Sequence, residues 1–196
     1  MSFLYRGSEG LLIEEQILGR RMIVKRRRLH RFLHPTLSQL LLRRRTLTEA
    51  RLLETMRLHG IRVPVLYDYD HRTLYLEFIE GSHLSTSSAP ISFYQLGQMI
   101  AKLHNLELTH GDLNPANILI EDRTDQIVLL DPSMGSVRAD LITQAHDLLG
   151  FVRGIGGFEN RTECRARFER GYLAKCRTER PWILCQELEQ RGRNKH

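Results

Sequence analysis

Along the first third of the chain, short apolar runs alternate with polar residues at the period of extended backbone. Leu11–Glu14, Gln16–Leu18 and Arg21–Arg27 are predicted strands, punctuated by Gly10 and Gly19. Pro35 opens a helix in which Leu37, Leu40 and Leu41 supply an apolar stripe. Thr46-Leu47-Thr48-Glu49 reads as a capping box that starts a second helix, with Leu53, Met56 and Arg57 keeping the turn spacing until Gly60 ends it. Val65–Tyr69 and Leu74–Phe78 form a hairpin across Asp70-His71-Arg72, giving a sheet of about five strands with helices inserted after the third.

The pattern changes after Gly81 and the polar stretch Ser85–Ala89. Phe93, Leu96, Ile100, Leu103 and Leu106 make one helical face that ends before Thr109, and the loop HGDLNPAN (110–117) leads into two short strands, Ile118–Ile120 and Ile127–Leu130. From Asp140 onward the chain reads as helix. The expectation is an α+β fold in a single domain of two lobes: a mainly β lobe over about residues 1–80, a mainly α lobe over about 81–190, and a basic tail at 191–196. A crevice between such lobes is the default place for a ligand.

At 196 residues one domain is the natural count. No apolar run approaches the ~20 residues of a membrane helix, and MSFLYRGSEG has no apolar segment of the secretory kind. Cys164, Cys176 and Cys185 are odd in number and lack CxxC spacing, which argues against a disulfide framework or a zinc site and points to a reducing intracellular compartment. The net charge of +6 is unevenly spread. Residues 20–45 hold 10 Lys/Arg and no acid, and 161–196 hold 10 against 5 acids, whereas the rest of the chain holds 18 acids and 9 Lys/Arg. The two basic segments suit a polyanion or a solvated surface equally well.

His110-Gly111-Asp112, Asn117 and then Asp131 at the end of a strand form the strongest chemical signal. Phosphoryl transfer asks little covalent help of a protein: one carboxylate aimed at the attacking hydroxyl and oxygen ligands for magnesium. Asp112 suits the first task, while Asn117 and Asp131 suit the second as a neutral and an anionic hard donor.

HGDLNPANI and the LLLD strand resemble the catalytic and metal loops of the protein kinase superfamily in its atypical branch, which implies a two-lobed protein-kinase-like fold using ATP and Mg²⁺. Gly111 stands where the family has the arginine of H-R-D, implying no control by a phosphorylated activation loop. Asp131-Pro132-Ser133 replaces D-F-G, keeping the metal ligand and losing the packing Phe and the Gly. The resemblance implies that Lys25 and Glu49 form the ion pair that positions phosphates, that Glu77 to Ile79 is the hinge offered to adenine, and that Asp147 braces the catalytic loop beside His110. The GSEG loop (7–10) lies where phosphates are covered but is not G-x-G-x-x-G.

About 65 residues follow Asp131, so a trimmed second lobe is expected. Over nearly its whole length the chain resembles the small kinase/ATPase subunit of the KEOPS (EKC) complex, the PRPK type. The resemblance is carried by VKRRRLHRFLHPTL, RRRTLTEARLL, HGIRVPVLYDYD, FIEG, HGDLNPANI and the closing RGRNK. It implies ATP hydrolysis and serine/threonine phosphorylation beside the Kae-type ATPase and its small regulatory subunit, in threonylcarbamoyladenosine modification of tRNA. It also implies a location in cytoplasm and nucleus, away from membranes. Under it, Arg26, Arg27, Arg28, Arg31 and Arg43–Arg45, with Arg191, Arg193 and Lys195 of the tail, meet tRNA or the partner. HGDLxxxN also occurs in aminoglycoside and choline phosphotransferases, and RIO-type kinases are similarly short. A small-molecule phosphotransferase, a RIO-type kinase and a nucleotide-binding adaptor without turnover therefore stay open.

Overall fold

The structure is a computed structural model that describes residues 2–6, 10–28, 34–86 and 93–193, with side chains omitted for 2–6 and 193. Strand β1 (Ser2–Arg6) pairs with β2 (Gly10–Ile17), β2 with β3 (Arg20–Arg27), and β3 with β5 (Thr73–Glu77), which also pairs with β4 (Leu66–Tyr69). All these pairings are antiparallel, so the five-strand sheet has the order β1-β2-β3-β5-β4. The two strands expected over 11–18 are one. β2 runs opposite β3 without a break from Gly10↔Arg27 to Ile17↔Arg20. Leu18 and Gly19, at φ 50° and 75°, form the two-residue connection whose backbone twist matches that of the strands.

Helix α1 (Pro35–Leu58) is also continuous, which corrects the capping-box reading. Residues 40–45 are Leu and Arg, good helix formers with no breaker among them, so the helix passes through Thr46 unbroken. The Thr46 hydroxyl donates back to the Leu42 carbonyl at 2.9 Å, a bond made inside a helix and not at its start. The expected apolar stripe at the beginning of α1 stays outside, with Leu37 47% and Leu40 60% exposed, whereas Leu52, Leu53 and Met56 are fully buried further along.

A second, three-strand sheet has the order β6-β7-β8, made of Gly81–His83, Ile118–Glu121 and Ile127–Leu129. β6 carries no apolar alternation and left no trace in the sequence pattern. Helices α2 (Phe93–Asn105), α3 (Leu141–Gly154), α4 (Arg161–Leu173) and α5 (Arg180–Arg193) complete the second lobe. Asp140 caps α3 by accepting from the Thr143 N–H at 2.7 Å. α2 and α4 cross at glycines: a Cβ at Gly97 would lie 2.1 Å from the Phe168 carbonyl oxygen, and one at Gly171 2.0 Å from that of Tyr94. Phe151, Phe168, Tyr172 and Trp182 pack around that crossing and fix α3, α4 and α5 together. α5 continues through Arg193, so Arg191 and Gly192 are helical where the sequence reading starts the tail.

Arg62, on the segment after α1, ties the two sheets together. Its guanidinium donates to Glu77 at 2.7 and 2.9 Å and to Glu121 at 2.8 Å. Its carbonyl accepts from the Leu129 N–H at 3.0 Å. Among the described residues no helix is long and apolar enough to cross a membrane. The three cysteines are free thiols, with Cys185 buried and Cys164 and Cys176 half-buried.

Candidate active site

The cleft side of the first lobe is set by the pleat of β3. Lys25 and Arg27 project to one face and Arg26 to the other, and the inner face lies against α1, where Glu49 is buried. Lys25 Nζ donates to Glu49 Oε1 at 2.8 Å and lies 2.6 Å from Asp131 Oδ1. Arg27 pairs with the other Glu49 oxygen. The expected Lys25–Glu49 pair is therefore present, and Lys25 bridges it to the end of β8. Arg27 is corrected from a surface contact to a buried residue, 4% exposed, because the two-residue repeat of the strand turns it inward.

Asp131 follows β8 with φ 55°, a left-handed conformation that aspartate tolerates better than most residues. Burial raises its carboxyl, but the Lys25 ammonium and hydrogen bonds from Lys25 and Ser133 outweigh that and hold it down at about 2. It is thus an anion throughout the neutral range.

The loop at 110–117 is anchored from beneath. Asp147 on α3 is 3% exposed and accepts from the backbone N–H of His110 at 2.6 Å and of Gly111 at 2.7 Å. The His110 ring donates from Nε2 to the Leu130 carbonyl at 2.7 Å, fastening the loop to the residue before Asp131. The Leu130 N–H in turn donates to the Asn117 carbonyl at 2.8 Å. Asp112 is exposed, and both its carboxylate oxygens accept from amides: Oδ2 from Asn117 at 2.8 Å and Oδ1 from Asn114 at 3.0 Å. Sequence reasoning missed Asn114. Its Oδ1 also accepts from the Ala116 N–H at 2.9 Å and caps the short 3₁₀ turn Pro115–Asn117, and N-P-x-N was the available signal.

The donors present suit a hard divalent cation. Asp131 Oδ1 is a buried oxygen with no well-directed hydrogen bond, and no hydrogen bond engages Asn117 Oδ1 among the described residues. No cluster of three or more His, Cys, Asp or Glu side chains able to hold a metal occurs among the described residues. A hard cation held by oxygens of this kind would complete its shell with water and substrate phosphates, as magnesium does.

The remaining expected residues are scattered. The Glu77 carboxylate is taken up by Arg62 and the Val65 N–H, and its own N–H donates to the Val65 carbonyl at 2.8 Å. Ile79 follows, half-buried, between β5 and β6. Arg26, Arg28, Arg43 and Arg44 are exposed, and Arg191 is exposed within 4.0 Å of Glu187. Residues 7–9 of the GSEG loop, Arg31, the Arg193 side chain and Lys195 lie outside the described residues.

Two lobes joined at such a cleft define a kinase-like fold. The Rio2 kinase of Chaetomium thermophilum, solved as an ADP/Mg²⁺-phosphoaspartate complex, superposes with a TM-score of 0.65 at 14% identity, covering 98% of this chain and 70% of that one. A family model for the RIO domain matches residues 20–140, well over half of the sequence, and the chain belongs to that family. Curated relatives carry a second set of names. A probable serine/threonine-protein kinase BUD32 homolog of Archaeoglobus fulgidus is 28% identical over 97% of this chain and 95% of its own length. The EKC/KEOPS complex subunit bud32 of Dictyostelium discoideum is 30% identical over 76% of this chain and 65% of its own length. A probable bifunctional tRNA threonylcarbamoyladenosine biosynthesis protein of Methanoculleus marisnigri is 32% identical over 86% of this chain, which spans 31% of that protein. Membership of the RIO family and likeness to the KEOPS subunit therefore hold together, although the sequence reading set them as rivals.

Proposed function

We propose that this chain is an ATP-dependent phosphotransferase and ATPase of the small KEOPS-subunit type, acting in threonylcarbamoyladenosine modification of tRNA beside a Kae-type ATPase and its small regulatory subunit. One observation carries the reading: Asp112 bonds to Asn117, Asn117 bonds to the backbone of Leu130 just before Asp131, and Asp131 meets Lys25, which holds Glu49. The names of the relatives support the tRNA pathway and the complex.

In this reading Lys25 holds nucleotide phosphates, its ammonium fixed by Glu49. Asn117 and Asp131 hold Mg²⁺, which supplies charge neutralisation at the phosphates when bound. Asp112 orients the attacking hydroxyl or water, and its carboxylate is aimed by the amides of Asn114 and Asn117. Asp147 acts beneath the loop, keeping His110 and Gly111 in place. The exposed Arg26, Arg28, Arg43, Arg44 and Arg191 face tRNA phosphates or the partner.

The deciding experiment measures ATP hydrolysis with and without the Kae-type partner in wild type, Asp112→Ala and Asp131→Ala. Loss of a positioned base costs ~10²–10⁴ in rate. Asp112→Ala retaining more than a tenth of wild-type hydrolysis would sink the assignment. Turnover only on addition of an alcohol or aminoglycoside would transfer the chain to the small-molecule phosphotransferases, and nucleotide binding with no turnover under any condition would make it an adaptor.

A further inference from the structure

We propose that Arg27 is a positioning residue of the cleft: by gripping one oxygen of Glu49 it fixes the carboxylate whose other oxygen holds Lys25. The inference rests on the reading of the cleft as a triphosphate site and adds to it a second cation from the same strand.

Lys25 and Arg27 stand two residues apart on the inner face of β3 and take opposite oxygens of one buried carboxylate. The terminal torsion of a glutamate is soft, so a single lysine contact leaves the carboxylate plane free to turn. Two contacts from one rigid strand set it. The Arg27 backbone is itself pinned, its N–H donating to the Arg72 carbonyl at 2.9 Å, and it pairs with Gly10 at the start of β2.

Charge gives a second reason. Among the described residues Lys25 and Arg27 balance Glu49 and Asp131, so this group of four is neutral. Without Arg27 it carries a net negative charge at the place where a polyanionic nucleotide and its metal must settle. A buried charge is a poor way to gain stability, since well-packed apolar side chains of similar volume serve as well or better. Arg27 does not even satisfy all its donors: its Nε is buried with no hydrogen-bond partner among the described residues. The residue is explained by what it does to Glu49 and to the local potential, not by its own bonding.

The test compares wild type, Lys25→Met, Arg27→Met, Arg27→Gln and Arg27→Lys as full chains, reading the affinity for ADP and for a non-hydrolysable ATP analogue with Mg²⁺ by calorimetry, and KM and kcat for ATP. Arg27→Met is expected to weaken nucleotide binding and raise KM by about tenfold, the order of one unit charge acting within a protein cleft, with a smaller change in kcat. Arg27→Lys recovers affinity to within about threefold of wild type. Arg27→Gln keeps a hydrogen-bond donor for Glu49 without the charge, and carries the same expectation should the methionine variant fail to fold. Nucleotide affinity within twofold of wild type in either neutral variant, beside a clear loss in Lys25→Met, would reduce Arg27 to a structural brace and overturn the inference. Unchanged affinity in Lys25→Met itself would overturn the triphosphate reading instead.

Discussion

Strand β3 sends its basic side chains to two unlike places. On one face Lys25 and Arg27 are 13% and 3% exposed and are locked to acids, and on the other Arg26, like Arg28 just past the strand, stands in solvent. A run of four charges that reads as a single patch is thus split by the pleat into a buried ion-pair cluster and a surface. The difference teaches that the same residue type costs or contributes according to its partner. Inside, each charge depends on an opposite charge for its presence, and outside no acid among the described residues pairs with Arg26 or Arg28, which leaves them to a polyanion.

The inner face should show the largest effects. Glu49→Ala leaves Arg27 buried without its carboxylate, and chemical denaturation should show a loss of about 3–5 kcal/mol. A loss under 1 kcal/mol would mean that the two faces are energetically alike. Arg62→Met unties Glu77 from Glu121 at partly exposed positions and should cost less, about 1.5–3 kcal/mol, as a lower thermal midpoint.

Asp131 adds a pH test. Its folded carboxyl is held at about 2, below the ordinary unfolded value of ~3.9. Its contribution to stability is therefore fully present above pH ~4 and is lost as pH falls toward 2. An acid titration of stability should flatten across that window in Asp131→Asn. Equal slopes in wild type and variant would place the carboxylate outside the ion-pair cluster.

The outer face should give the smallest changes in folding. Arg26→Ala and Arg28→Ala are expected to shift stability by no more than about 0.5 kcal/mol. Each is expected to lower the salt dependence of tRNA binding by roughly one counterion. An unchanged salt slope in the double variant would remove this face from any nucleic-acid contact.

Much of this was legible because it rests on local chemistry. The spacing Asp112-x₄-Asn117 and a strand leading to Asp131 pick out residues that the structure joins through the Asp112–Asn117 and Asn117–Leu130 bonds, and Asp140 announces α3 through its cap. Two kinds of feature were hidden. The first depends on what packs opposite: Leu37, Leu40 and Leu41 have helical spacing, yet nothing in the periodicity says that Leu37 and Leu40 face outward while Ser38 and Leu42 turn inward. Glu49 satisfied a capping motif by residue type alone, while burial and two cations decided its role. The second is pairing without side-chain pattern, as in β6, whose Gly-Ser-His is a strand only because β7 lies beside it.

Gly111 gives a last consequence. It sits at φ 82°, and a Cβ there would fall 2.0 Å from the carbonyl carbon of Met134, so the backbone of 134–135 fills the space where any other residue would begin. Thr109 and Ser136 hold the two segments together through bonds of 3.0 Å in each direction. The arginine of the H-R-D triplet could not be installed here by a single codon change, since the loop after Asp131 would first have to move away. The glycine at this point is therefore a steric commitment of the architecture.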